Sequence, residues 1–177
     1  MRVKPLIAIP LVAVTLAGCS SQQSAPKETA AVADQKPLFA SDEEALAAAQ
    51  AAYANYLEVS DQIARDGGAN PERLKGLVSD SLYTDEVSGF QQIAQEKSIA
   101  VGSSSFDTIH LQGLESKSVT TYLCIDHSQI HLQNLSGQDV TSPNRVDRYP
   151  LVVTFASDGN GSLIIESSES WSGQNFC

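Results

Sequence analysis

Ser41-Asp42-Glu43-Glu44 begins a run to residue 68 in which Leu46, Ala49, Tyr53, Tyr56, Leu57, Ser60 and Ile63 recur at three- and four-residue steps. The four opening residues fit the Ser-x-x-Glu capping box, and their acids suit the positive end of a helix. The spacing predicts an amphipathic helix ending near Arg65, stopped by Gly67-Gly68. Asn70-Pro71-Glu72 is a second start signal, and Leu74, Leu77 and Val78 predict a short second helix. Thr84-Asp85-Glu86 predicts a third, with Val87, Phe90, Ile93 and Ala94 on one face. Gly89 weakens that helix by about 1 kcal/mol relative to Ala.

Beyond Ile99 the apolar period changes to two. Residues 106–111 alternate, and Val119, Thr121, Leu123 and Ile125 share one face of a predicted strand. Residues 129–135, 149–156 and 163–171 are further strand-like runs. Asp158-Gly159-Asn160-Gly161 supplies a hairpin turn between the last two. Helices followed by strands predict an α+β domain: about three N-terminal helices packed on an antiparallel sheet of four to five strands.

Composition bounds the rest. A chain of 177 residues with 42% hydrophobic and 18% charged residues has enough apolar material for one folded domain. Eleven basic residues against 21 acidic ones give a net charge of −10. The cations that phosphate binding requires are scarce, so nucleic acid is excluded as a partner. The same balance disfavours polybasic attachment to anionic lipid.

At the N-terminus, Arg2 and Lys4 precede an uncharged apolar run over residues 5–16. That run is too short for a membrane-spanning helix, which needs about 20 residues, and it suits a secretory signal. It leads into Leu16-Ala17-Gly18-Cys19, which resembles a bacterial lipobox. The resemblance implies cleavage after residue 18 and acylation of Cys19, placing the protein on the extracytoplasmic face of the cell membrane. Several acyl chains anchor stably where one does not. The plainer alternative is an ordinary signal peptide with Cys19 an incidental thiol. Cleavage would leave nine basic residues against 21 acidic ones, so an anionic membrane surface would repel the domain. Residues 19–40, rich in Ser, Gln and Ala with Pro26 and Pro37, read as a flexible tether. Leu38 and Phe39 are apolar enough to pack on the domain edge. Residues 41–177 read as a single domain.

The element order also resembles the cystatin-like cone of the nuclear transport factor 2 superfamily, in which a long first helix lies in the concave face of a curved antiparallel sheet. This chain departs from it in placing all its helices before the sheet, where many members insert a hairpin between the second and third. The whole chain is similar to small actinobacterial lipoproteins of unassigned function. That likeness rests on the lipobox, the capped Ala-rich first helix, Val101-Gly102-Ser103-Ser104-Ser105-Phe106-Asp107, Tyr122-Leu123-Cys124-Ile125-Asp126 and the ending Trp171-Ser172-Gly173-Gln174-Asn175-Phe176-Cys177.

With Cys19 acylated, Cys124 and Cys177 remain. Two cysteines in an oxidising compartment predict a disulfide that pins the tail to a strand. It closes a loop of 53 residues, for which chain entropy gives about 4 kcal/mol. A redox or metal pair is the rival, but a C-x-x-C spacing is lacking.

The three histidines, His110, His127 and His131, lack metal-ligand spacing and read as surface residues. The cone resemblance implies a mouth lined by Tyr53, Asp107, Tyr122 and Asp126, since Asp and Tyr serve proton transfer in some members. Tyr53 also falls on the apolar helix face, where a core tyrosine is the simpler reading. Asp158 and its neighbours lack the further acids of a calcium loop. No cofactor, metal or catalytic set is implied. Two functions stand. The first is a membrane-anchored, non-enzymatic module binding a protein, a wall component or a small apolar ligand. The second is a small proton-transfer enzyme using Asp and Tyr side chains in a cone pocket.

Overall fold

A computed structural model describes residues 38–177. The signal segment 1–18, Cys19 and the tether up to residue 37 lie outside the described residues. Leu38 and Phe39, which the tether was drawn to include, pack against the core.

Helix α1 (Asp42–Arg65) starts as its capping residues predict. Ser41 Oγ accepts a bond from the Glu44 backbone N–H at 3.2 Å. The Glu44 carboxylate reaches back to accept from the Ala40 N–H at 3.0 Å. Two of the N–H groups at the helix entry are thereby satisfied. The helix ends where Gly68 N–H donates to the Ile63 carbonyl at 2.8 Å. Gly68 takes a φ of +80°, and any Cβ there would strike the Phe90 carbonyl. Glycine is therefore required both to turn the chain and to let α1 approach the second helix.

The expected second helix does not form. Residues Pro71–Leu74 make a single 3₁₀ turn, and Gly76, at φ +81°, breaks the path before Leu77 and Val78. Those residues run beside the last strand instead. The Ile165 N–H donates to the Leu77 carbonyl at 2.9 Å, and the Ser79 N–H donates to the Ile165 carbonyl at 2.8 Å. Part of an open sheet edge is thereby covered. Helix α2 (Asp80–Glu96) begins at Ser79, ahead of the predicted start at Thr84. Ser79 Oγ accepts from the Leu82 N–H, and Thr84 lies inside the first turns, its hydroxyl donating back to the Asp80 carbonyl. Among the described residues the fold is thus two α-helices, not three, on an antiparallel sheet.

Six strands follow: β1 (Ser98–Val101), β2 (Ser105–Leu114), β3 (Ser118–Asp126), β4 (His131–Asn134), β5 (Arg148–Ser157) and β6 (Leu163–Ser170). Four form one sheet in the order β2-β3-β5-β6, every pair antiparallel. The remaining two, β1 and β4, pair antiparallel as a separate small sheet. The run at 129–135 therefore belongs outside the main sheet. Irregular register in β2, with Thr108 at φ +52°, adds local twist. The hairpin at Asp158 forms as expected: its Oδ1 accepts from the N–H groups of Asn160 and Ser162.

The core lies between the helices and one face of the main sheet. Tyr53 and Ile63 of α1 meet Val119, Leu123 and Ile125 of β3, Val153 and Phe155 of β5, and Ile165 of β6, all buried. The face predicted from Val119, Thr121, Leu123 and Ile125 is the inner one. Cys124 points to the other face and is nevertheless fully buried. The reason is a disulfide to Cys177, with 5.7 Å between the Cα atoms. The bond folds the C-terminal segment over the outer face. There Tyr122 meets Trp171 and Phe176 edge-on, with ring centroids 5.1 and 6.1 Å away. Gly173 sits so close to the Trp171 indole that any Cβ would meet the ring.

Candidate functional site

A cleft of about 470 Å³ opens between α1, α2, the inner face of the main sheet and the small sheet. Its size is in the range of small-molecule sites. Tyr53 and Tyr56 come to it from α1, Glu86 and Phe90 from α2, and Tyr149 from β5. Asp61, Ser104 and His127 also contribute to its wall. A second cleft, of about 330 Å³, shares Asp61 and Ser104 and lies along the start of β2.

Helical spacing sets the first group. Tyr53, Tyr56 and Leu57 are one turn apart on the buried stripe of α1, and Asp61 continues that stripe one turn on. The Tyr56 hydroxyl donates to Glu86 Oε1 at 2.7 Å and links the two helices. Burial pushes the Glu86 carboxyl above its ordinary value; the bond from Tyr56 opposes that shift and the charge of Asp85 adds to it. Burial, first of all, also raises the Tyr53, Tyr56 and Tyr149 hydroxyls, so all three stay protonated at neutral pH.

The second group depends on the turn between β1 and β2. Gly102 adopts φ +100°, and a Cβ there would collide with the Gln129 carbonyl oxygen. Arg65 Nη1 donates to the Gly102 carbonyl at 3.2 Å and holds this turn against the end of α1. Ser104 is thereby presented to the buried Asp61. Its N–H donates to Asp61 Oδ2 at 2.7 Å, and its Oγ lies 2.8 Å from Oδ1. The same Oγ lies 2.9 Å from His127 Nδ1. A carboxylate can only accept, so the single hydroxyl proton of Ser104 goes to Asp61. His127 must then donate from Nδ1, which leaves Nε2 as the acceptor of a neutral ring. Burial first, and then the charge of Arg145, lower the His127 pKa, which agrees with a neutral imidazole. Ser104 Oγ is committed on both sides and is therefore not a free nucleophile.

The four residues expected at the cone mouth separate. Tyr53 lines the cleft while remaining a core residue, 2% exposed. Asp107, Tyr122 and Asp126 do not line it. They occupy the outer face, because side chains alternate along a strand and these three fall opposite to Leu123 and Ile125. Asp107 and Asp126 flank Arg148 at 2.6 and 3.5 Å. Bonds from Arg148 and Thr108 lower the Asp107 pKa; bonds from Ser128, and then Arg148, lower that of Asp126. These are carboxylates held ionised on the surface, the reverse of what proton transfer needs. Tyr122 is spent on packing the tail.

His110 and His131 are exposed as expected, His131 beside Asp139 at 3.0 Å. His127 is half-buried in the cleft wall, not fully exposed. Arg145 pins its loop by donating to the carbonyls of His127 and Ile130 while pairing with Asp147 at 2.7 Å. Sequence reasoning also missed Asp61, Glu86 and Ser104. One signal was available for Asp61: it stands four residues after Leu57 on an otherwise apolar helix face, where an acid demands a partner. No group of three or more His, Cys, Asp or Glu side chains suited to a metal occurs among the described residues.

No family profile and no curated protein matches this chain. Among solved structures, the intermembrane space region of the chloroplast protein ARC6 is similar with a TM-score of 0.53 at 10% identity, over 72% of this chain and 97% of its own. Aln2 from a Streptomyces species is similar over 72% of this chain and 90% of its own, with a TM-score of 0.45 at 14% identity. The first likeness concerns the fold alone; the second is too distant to carry an argument.

Proposed function

We propose that this chain is an extracytoplasmic lipoprotein, anchored through Cys19, whose folded domain is a binding module. The domain resembles the cone of the nuclear transport factor 2 superfamily, with α1 against the concave face of the sheet, and the cleft between them takes a small ligand. The single observation that carries this reading is the 470 Å³ cleft, whose wall mixes aromatic and aliphatic side chains with polar ones. The apolar run and Leu16-Ala17-Gly18-Cys19 support the anchor. Two measurements test the reading. Mass spectrometry of the envelope fraction should find acyl chains on Cys19, and Cys19→Ser should release the protein from membranes. A small-molecule screen by thermal shift should raise the melting temperature, and Ser168→Trp, which fills the cleft, should abolish that shift.

One observation favours a second reading, proton transfer. The cleft holds a carboxyl of raised pKa, Glu86, bonded to Tyr56. These residues replace the Asp107, Tyr122 and Asp126 set. Isotope exchange at carbon acids, lost in Glu86→Gln, would support it; absence of exchange across a panel of ketones would remove it.

A further inference from the structure

Among the described residues, the walls of the cleft contain two acids, Glu86 and Asp61, and no Lys or Arg. The two acids differ in what satisfies them. Asp61 is bonded by the N–H of Ser104 through Oδ2 and by its hydroxyl through Oδ1. Glu86 has only the Tyr56 hydroxyl, on Oε1, among the described residues, and Oε2 carries no such bond. The same wall holds the rings of Tyr53, Tyr56, Phe90 and Tyr149, the first three buried and Tyr149 half-exposed. The faces of aromatic rings are electronegative, and a partly desolvated carboxylate lacking a cation beside them is the complement of a positive charge. The whole chain adds to that field, with 21 acids against 11 bases.

We infer that the cleft takes a small organic cation, an ammonium or quaternary ammonium group on an apolar body, with its charge against Glu86 and its body against the tyrosine rings. The inference rests on the reading of the cleft as a binding site and names its ligand class. An anion would meet two carboxylates and, among the described residues of the wall, no Lys or Arg, only the neutral ring of His127. A neutral ligand would gain nothing from the charge of Glu86.

The test uses a matched pair of soluble probes, choline and its uncharged carbon isostere dimethylbutanol. They differ in one atom at the head group and nearly nothing in shape. Binding to the full chain in nonionic detergent is followed by calorimetry. The cation should bind at least about tenfold more tightly than the isostere, as expected for a partly desolvated cation–π and carboxylate site. In Glu86→Gln the preference should vanish, while Glu86→Asp, which keeps the charge, should retain part of it. Near-UV circular dichroism checks that both variants keep the native packing; if Gln at this position unfolds the chain, the preference of the unaltered protein decides alone. Equal affinity for the two probes, or tighter binding of dimethylbutanol, overturns the inference and leaves the cleft a binding site for neutral ligands. A preference that survives Glu86→Gln in a folded variant also overturns it. Failure of both probes to bind overturns the inference alone; the binding reading stands or falls separately, with the thermal-shift screen and Ser168→Trp.

Discussion

The hydroxyl of Tyr56 donates to Glu86 Oε1 across 2.7 Å, and this bond joins the middle of α1 to the first turns of α2. It satisfies one oxygen of a carboxylate that the cleft otherwise leaves partly dehydrated. On the proposed reading, the group that ties the helices is also the group a ligand would address.

The first prediction concerns pH. The Glu86 carboxyl is raised in the folded protein, mainly by burial. The native state therefore binds its proton more tightly than the unfolded chain does. Its contribution to stability is fullest below the unfolded value and is lost as pH rises toward the folded one. Denaturation curves of the unaltered protein minus those of Glu86→Gln should show stability falling with rising pH across that window. A flat difference would show that Glu86 titrates normally.

Replacing Ser104 by Ala should cost about 1–3 kcal/mol, because it leaves His127 Nδ1 without its acceptor and Asp61 with only the backbone donor. Urea unfolding measures the loss. The nitrogen chemical shifts of His127 should report a neutral ring protonated at Nδ1 in the unaltered protein and a mixture in the variant.

Thr121 offers the opposite case. Its side chain is fully buried on the inner face of β3, and its Oγ1 has no hydrogen-bond partner among the described residues. Thr121→Val keeps the shape and removes the orphaned hydroxyl. It should stabilise the fold by about 1 kcal/mol, read from a higher urea midpoint at unchanged slope.

The disulfide can be tested separately from the cleft. Denatured, unreduced protein should show no titratable thiol at Cys124 or Cys177. Cys177→Ser should cost about 4 kcal/mol by chain entropy and free the C-terminal segment. Trp171, the single tryptophan, would then leave Tyr122, and its fluorescence should shift to longer wavelength while ligand binding in the cleft persists.

Local physics made much of the fold legible. The start of α1 could be read because capping is chemistry among Ser41, Glu44 and their own backbone. The inner face of β3 followed from alternation alone, and so did the hairpin at Asp158 from its turn residues. The disulfide followed from counting the cysteines that remain once Cys19 is set aside. The errors arose where distant segments compete. Leu77 and Val78 carry a helical pattern but pair with Ile165, far along the chain. Gly76 had already broken the helix, and an unpaired strand edge offered them partners.

By itself the sequence determined the class of fold, the buried stripe of α1, the inner face of β3, and Tyr53 as a residue of the interior. Each of these depends on neighbours within a turn or a strand. Only the tertiary structure decided the site. It carried Asp107, Tyr122 and Asp126 to the outer face around Arg148 and the tail. It brought Asp61 within reach of Ser104, 43 residues later, and Tyr56 within reach of Glu86, 30 residues later. A polar group in a sequence carries no mark of the partner that will satisfy it. That partner is fixed when burial makes an unpaired charge or hydroxyl costly, and burial is a property of the packed chain.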